Sequence, residues 1–394
     1  MQMTVESSLF HPDVLTSLRD APEIFTSIAQ FKGKELGLQK MLRSNYDDHI
    51  VRAALILHDL RKRGAAKFSK ADQMWFDRTG LEQSTSEPVA NYKAKRFSGD
   101  VVDICSGIGG DSIAIAANAN VTSIDRVSAR SQCLVWNAEA YGVANTIDAQ
   151  PREAVPGDAS GKLVHIDPDR RAGPRGRSLR IEDLEPGPAF LEELVQTARG
   201  GAIKLSSASN FRGSFDDCEV ELISHAGECK EATVWFGELK TDCTTRATCV
   251  ATGETIAGHL SYDMAEVAAP KKYVFDPDPA LVRSGLLDQF CLERGISRLD
   301  AEEEYVTADE LPATAFLPGA FELTGEFPNE GKALRKHLRE LNVGRVEVKS
   351  RRVPTDVEKL RRSLKLKGTE PATIIIARLN GLARVLVGRR QSVS

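Results

Sequence analysis

The sequence has no run of about 18 uninterrupted apolar residues, so it offers no membrane span. Its start, MQMTVESSLFHPDV, lacks a basic stretch followed by an apolar core, and no secretory leader is read there. Seven cysteines are scattered at 105, 133, 218, 229, 243, 249 and 291, an odd number without a C-x-x-C pair. That spacing argues against a disulfide framework and against a metal site, and a reducing cytoplasm is the simplest compartment. Repeats and low-complexity tracts are also missing. So is a charge imbalance: Lys+Arg 52 against Asp+Glu 56 leaves a net charge of −4, and any basic surface for nucleic acid is therefore local.

What remains is an ordinary globular composition, 41% hydrophobic and 27% charged, over 394 residues. That length predicts two or three domains. Residues 1 to about 95 read as mostly helical. Ile50, Ala54, Leu57 and Leu60 recur at helical spacing, with Asp47 and Asp48 at the start and basic residues at the end. LEQSTSEPVANYKAKRF, residues 81–97, reads as a loop entering a short helix, with Gln83, Ser84 and Ser86 as site candidates.

The chain is organised around VVDICSGIGGDSIAIA, residues 101–116. An apolar run reads as a buried parallel strand, Gly107-Ile108-Gly109-Gly110 as a glycine turn, and the stretch opened by Asp111 and Ser112 as a helix. Strand, turn and helix form the first unit of a doubly wound α/β sheet, whose ligand sits at the carboxyl ends of the strands. A dinucleotide fingerprint wants a small third residue where Ser112 stands, and a pyrophosphate prefers a helix mouth without a carboxylate such as Asp111. Methionine-linked adenosine carries no phosphate and has a positive amino group, so it suits this turn better. Twenty residues beyond Cys105, a second apolar run ends in Asp125, which fits the ribose hydroxyls of either ligand. A third strand near residues 145–149 offers Asp148 and Gln150 toward an adenine edge, and the spacing does not choose between them.

KLVHIDP, residues 162–168, reads as the fourth strand and ends in Asp167-Pro168-Asp169-Arg170-Arg171. Pro168 fixes a turn, Asp167 can accept a hydrogen bond from an acceptor group, and Arg170 and Arg171 can bind phosphate or stack on a base. No aromatic residue follows the proline, so stacking of a target base on such a ring is not supported, and no nucleophilic cysteine stands there either. Lys204 and Ser206 end a fifth strand. Residues 218–239 read as a hairpin around His225-Ala226-Gly227, closing the sheet with antiparallel strands. Near the C-terminus, in 330–368, Lys349, Arg351, Arg352, Arg361 and Arg362 belong to a set of basic residues that far outnumber the acids. That is the footprint of phosphate contacts on a chain that is acidic overall.

The stretch Asp103-x-Cys105-x-Gly107-x-Gly109-Gly110-Asp111 resembles motif I of the class I S-adenosylmethionine methyltransferases. With LEQSTSEPVANYKAKRF, HIDPDRRAG and VEVKSRRVPTDVEKLRRSLKLKG, the chain resembles the bacterial methyltransferases with a THUMP-like C-terminal domain. The resemblance implies an α/β fold: a Rossmann-like class I sheet with an antiparallel edge hairpin, an N-terminal helical domain (1–97), a transfer domain (98–268) and a THUMP-like α/β domain (269–394). It implies S-adenosyl-L-methionine as cofactor, held by Asp103, Ser106, Gly107, Gly109, Gly110, Asp111, Asp125, Arg126, Asp148 and Gln150. It implies RNA as substrate, with no membrane partner and no metal. Asp167, Pro168, Arg170 and Arg171 are the candidate catalytic residues, for direct transfer without a cysteine nucleophile. The alternatives are a non-catalytic RNA-binding protein on the same shell and a nicotinamide oxidoreductase.

Overall fold

A computed structural model describes residues 10–170, 172–173, 176–177, 180–210, 215, 217–328 and 331–391. The chain forms two compact units, one of Met1–Cys218 with Thr233–Thr241, the other of Glu219–Ala232 with Asp242–Ser394.

The first unit begins with helices α1 (Pro12–Arg19), α2 (Glu23–Gln30), α3 (Glu35–Arg43) and α4 (Asp48–Gly64). The stripe Ile50, Ala54, Leu57 and Leu60 is buried, together with Leu15, Leu18, Ile24, Trp75 and Phe76. Two short helices follow, α5 (Arg78–Gln83) and α6 (Glu87–Ala94). The same core takes in Ile108 of the glycine turn and Cys133, so the helices pack directly on the turn at the carboxyl end of β1. Asn137 fastens this contact: its side chain accepts from Trp75 N at 2.7 Å and donates to Trp75 O at 3.1 Å and Ile108 O at 3.0 Å.

The sheet of this unit contains β1 (Gly99–Ile104), β2 (Ala119–Asp125), β3 (Ile147–Pro151), β4 (Leu163–Ile166) and β5 (Gly200–Ser206), in the order β5-β4-β1-β2-β3. Helix α7 (Gly110–Ala116) follows β1, α8 (Ser128–Tyr141) follows β2 and α9 (Pro188–Thr197) precedes β5. Ile104 pairs in parallel with Ile124 on one side and Ile166 on the other, so Cys105, Asp125 and Asp167 emerge together. Chain order reverses at β1, which makes the gap between β1 and β4 the topological switch point where ligands bind in such sheets. Val101–Ile104 and Leu163–Ile166 are buried throughout, the reading expected of central parallel strands.

The hairpin read at 218–239 is present as β6 (Glu219–His225) and β7 (Glu228–Gly237), turning through Ala226 (φ 54°) and Gly227 (φ 77°). Residues 233–237 of β7 extend the sheet of the first unit, beside β5. In the second unit β6 pairs in parallel with β8 (Thr245–Cys249), and β8 is antiparallel to β9 (Glu254–Gly258). The second unit also holds β10 (Tyr273–Asp276), α10 (Pro279–Ser284), α11 (Leu287–Arg294), β11 (Ser297–Arg298), β12 (Val306–Ala308) and β13 (Gly319–Pro328). It ends with α12 (Gly331–Glu340), β14 (Val343–Ser350), α13 (Val357–Leu364), β15 (Glu370–Leu379) and β16 (Leu382–Gln391). These strands form a sheet in the order β11-β12-β10-β13-β16-β15-β14.

Alternation along β15 separates the two faces of that sheet. Ile374 and Ile376 join Leu334, Leu338 and Leu364 beneath α12 and α13. Ile375 and Ala377 face the other way, toward Val274, Tyr305 and Phe321. Among the described residues no helix is long and apolar enough to cross a membrane, and no His, Cys, Asp and Glu group could hold a metal ion.

Candidate active site

The turn after β1 takes three left-handed residues, Cys105 (φ 59°), Gly107 (φ 55°) and Gly109 (φ 93°). A Cβ at Gly109 would stand 2.9 Å from Leu134 Cγ, whereas at Gly107 nothing lies within 4 Å, so Gly107 borders open space. Asp125 ends β2 against this turn. Its Oδ2 accepts from Gly107 N at 2.8 Å and its Oδ1 from Val127 N at 2.8 Å. Burial raises its pKa against the pull of those two backbone donors. The buried Ser106 hydroxyl has no hydrogen-bond partner among the described residues.

Asp103 and Asp111 face inward, beneath the turn. Asp103 Oδ1 meets His165 Nδ1 at 2.7 Å, and its other oxygen takes the Ser112 hydroxyl. Ser123 Oγ in turn donates to Ser112 Oγ at 2.9 Å. Asp111 Oδ1 is 2.8 Å from Lys93 Nζ and 3.8 Å from His165 Nε2, and Thr85 Oγ1 donates to its Oδ2 at 2.5 Å. Burial alone would lower the His165 pKa, but Asp111 and Asp103 outweigh it and raise it. Burial likewise opposes ionisation of Asp111, and Lys93 and His165 together hold its pKa well below the usual carboxylate range. The turn therefore stands on two carboxylates clamped by a lysine and a histidine, and both oxygens of each carboxylate are taken.

The loop after β4 is built differently. Asp167 Oδ2 lies 2.6 Å from Lys204 Nζ of β5, and Lys204 also donates to Gln83 O at 3.2 Å. The Asp167 side chain is 31% exposed, and its Oδ1 has no hydrogen-bond partner among the described residues. Burial raises its pKa, opposed by Lys204. Pro168 is buried. Asp169 Oδ1 accepts from Gln83 Nε2 at 3.2 Å, and Arg126 Nη2 stands 3.8 Å from its Oδ2. Arg170 belongs to a two-residue strand, Asp169–Arg170, paired with Leu184–Glu185; its side chain, and Arg171 altogether, lie outside the described residues.

On β3, Gln150 stands beside Ile124, one residue short of Asp125, and its amide donates to Asp148 Oδ2 at 2.6 Å. Asp148 itself lines a cavity of about 270 Å³ with Asp100, Asn120 and Lys162, near the amino ends of β1 and β2 and away from the turn. Gly110 starts α7 at the turn.

The basic residues of the second unit divide between the two faces of its sheet. Lys349 Nζ lies 2.8 Å from Asp276 Oδ2, and Arg351 bridges Asp276 Oδ1 at 2.7 Å and Glu304 Oε2 at 2.8 Å. Arg352 Nη2 meets Glu304 Oε1 at 2.6 Å. Arg361 and Arg362 lie on the exposed side of α13, where Arg361 Nη1 stands 3.0 Å from Glu358. The Lys349–Arg352 segment, read in the sequence as a phosphate-binding run, is thus tied to carboxylates of its own unit.

The sequence reading missed Lys93, His165 and Thr85. The signal for His165 was an ionisable residue inside the otherwise apolar LVHI; Lys93 had no local signal, because its partner is Asp111, far along the chain.

Residues 319–390 match the THUMP domain-like family, and residues 98–159 match the RNA cap guanine-N2 methyltransferase family. Two uncharacterised S-adenosylmethionine-dependent methyltransferases of Mycobacterium tuberculosis, from strains CDC 1551 and H37Rv, are each 32% identical over 338 residues. The match spans 81% of this chain and 90% of each relative. A crystal structure of a methyltransferase-like protein from Porphyromonas gingivalis W83 superposes with a TM-score of 0.75 at 20% identity, covering 96% of this chain and 98% of that one, which shows the shared fold. With a glycine turn, an acidic end to β2 and a switch point between β1 and β4, the chain belongs to the S-adenosylmethionine-dependent methyltransferases, and its C-terminal region is THUMP-like.

Proposed function

We propose that the protein methylates RNA, by direct in-line transfer to the acceptor and without a cysteine nucleophile. The RNA part is carried by the outer side of α12 and α13. Lys332, Lys336, Arg339, Lys359, Arg361 and Arg362 are exposed there. Among the described residues Glu340 pairs with Lys336 and Glu358 with Arg361. A row of cations of this kind suits a phosphate backbone. The likeness of residues 98–159 to the RNA cap guanine-N2 methyltransferases supports the same substrate class. In this reading residues 98–268 carry the transfer and 269–394 hold the RNA, with 1–97 packed on the transfer module. Seven free thiols fit a reducing, cytoplasmic location.

S-adenosylmethionine supplies a methyl group on a positive sulfonium, already a good leaving group. Its site fits the residues present. Gly107 borders open space, the Ser106 hydroxyl has no partner among the described residues, and Asp125 is a carboxylate with lone pairs to spare for ribose hydroxyls. Gly109 and Gly110 shape the turn, Arg126 flanks it, and Gln150 is the third-strand candidate. Asp103 and Asp111 act through the turn they support. Asp167 accepts a hydrogen bond from the acceptor, Pro168 fixes its carboxylate, and Arg170 and Arg171 meet the target nucleotide. Cys105 is the cysteine nearest these groups, and burial together with Asp125, Asp167 and Asp169 pushes its thiol pKa up, so it stays protonated and a poor nucleophile at neutral pH.

Filter binding of total RNA at several salt concentrations, beside calorimetry with S-adenosylhomocysteine, tests the reading. Arg361→Ala with Arg362→Ala is expected to weaken binding across sequences and flatten the salt slope by about one unit for each phosphate left without its cation, with cofactor affinity unchanged. An unchanged slope would mean that the helices are only solvated, and the RNA reading would fall.

A further inference from the structure

His165 stands on β4, a strand whose other three residues are apolar, and its side chain is 1% exposed. Its Nδ1 meets Asp103 Oδ1 at 2.7 Å, and the second Asp103 oxygen already takes the Ser112 hydroxyl. A carboxylate only accepts, so Nδ1 keeps its proton and the tautomer is set. The proton that comes and goes is therefore the one on Nε2. That atom is buried, has no hydrogen-bond partner among the described residues, and stands 3.8 Å from Asp111 Oδ1.

Four elements bring ionisable groups toward this ring. β1 brings Asp103, the start of α7 brings Asp111, and α6 brings Lys93, which lies 2.8 Å from Asp111. Lys204 of β5 acts on Asp111, and its own partner Asp167 feels both Asp111 and His165. The Phe97 ring stands edge-on to His165 at 6.3 Å, with Trp235 against Phe97 and Arg96 over Trp235. In this set histidine is the side chain whose ordinary value lies near neutrality. Cys105, the thiol of the turn, is pushed up and out of that range. Burial favours the neutral ring, but Asp111 and Asp103 outweigh it, so the Nε2 proton leaves above the ordinary histidine value.

With Nε2 protonated, Lys93 and His165 balance Asp103 and Asp111. With Nε2 bare, one negative charge is left beneath the turn, next to Gly110, where the low dielectric screens it little. S-adenosylmethionine and S-adenosylhomocysteine differ by one methyl group and by the positive charge on sulfur.

We propose that His165 is a specificity-determining residue, which sets how strongly the turn prefers the charged S-adenosylmethionine over its neutral product. Loss of the Nε2 proton tightens S-adenosylmethionine relative to S-adenosylhomocysteine, and its return brings the two closer. The buried charge acts through its field and needs no contact with either compound. By linkage, a bound sulfonium lowers the proton affinity of Nε2, and the spent cofactor restores it. The effect depends on the cofactor alone and is independent of the RNA reading above.

Calorimetry on the full-length protein with each compound, from about pH 6 to about pH 9, gives the ratio of the two dissociation constants. The α-amino group of both compounds titrates in the same range, so the wild-type ratio is divided by that of His165→Gln. The preference for S-adenosylmethionine is expected to rise with pH at least about threefold more in wild type than in the variant. Parallel ratios, or a wild-type preference that falls, overturn the proposal. A pocket that merely fits less well weakens both compounds together and leaves their ratio unchanged. Histidine-selective NMR of the wild-type protein needs no variant. One of the seven imidazoles is expected to titrate at lower pH with S-adenosylmethionine bound than with S-adenosylhomocysteine bound. Unchanged midpoints for all seven overturn the proposal, even where His165→Gln fails to fold.

Discussion

Carboxylates gather in two places at the carboxyl ends of the strands in the first unit, with opposite numbers of partners. Beneath the turn, Asp103 and Asp111 are 1% and 7% exposed, and each of their oxygens is committed to His165, Ser112, Lys93 or Thr85. In the loop after β4, Asp167 is partly exposed, shares one oxygen with Lys204 and has no partner for the other among the described residues. A fully committed, buried carboxylate holds geometry, because any new partner must first break a charged contact in low dielectric. A half-committed one at the surface of the site can exchange partners at little cost. Residue type is the same in both places; burial and the number of partners among the described residues differ.

The largest effect expected from breaking this contrast is at the clamp. Lys93→Met leaves the Asp111 charge without its nearest cation, and removal of one partner from a buried pair costs about 3–5 kcal/mol. Denaturant melts should show that destabilisation, and Lys93→Met with Asp111→Asn should recover part of it. A single variant as stable as wild type would mean that water reaches the clamp.

The pH dependence sharpens the same point. His165 has a raised pKa in the folded protein, so its charged form stabilises the fold fully below the unfolded value of about 6.5 and loses that contribution as pH rises through the folded value. The stability difference between wild type and His165→Gln should therefore shrink as pH is raised above neutrality. A difference that grows with pH would show that His165 is neutral when buried.

The smallest stability effect belongs to the open carboxylate. Asp167→Asn should cost no more than about 1 kcal/mol, as a partly exposed pair does, and should leave S-adenosylhomocysteine binding intact. Single-turnover transfer should slow by about 100-fold or more, as when an acid–base group is removed. A destabilisation as large as that of Lys93→Met would move Asp167 into the supporting class and erase the contrast.

The sheet, the glycine turn, Asp125 at the end of β2 and the hairpin at 218–239 were legible in the sequence because each is a local pattern. Parallel core strands are continuous apolar runs, a turn with φ > 0 asks for glycine, and His225-Ala226-Gly227 sits between apolar runs. The helical stripe of α4 was legible for the same reason. What each charge does was not. Asp103 and Asp111 read as ligand contacts because their spacing matches a motif, and Lys349 to Arg352 read as a phosphate face because they are close together and basic. In the folded protein their partners come from distant segments: His165, Lys93 and Thr85 for the first pair, Asp276 and Glu304 for the second. Alternation along β14 and β15 then decided which cations meet carboxylates and which, on α12 and α13, face solvent. The sequence by itself determined the kind of sheet and the place of its glycine turn. Tertiary structure decided which charges were neutralised and which stayed available, because a charge is committed only by the partner that folding brings within hydrogen-bond reach.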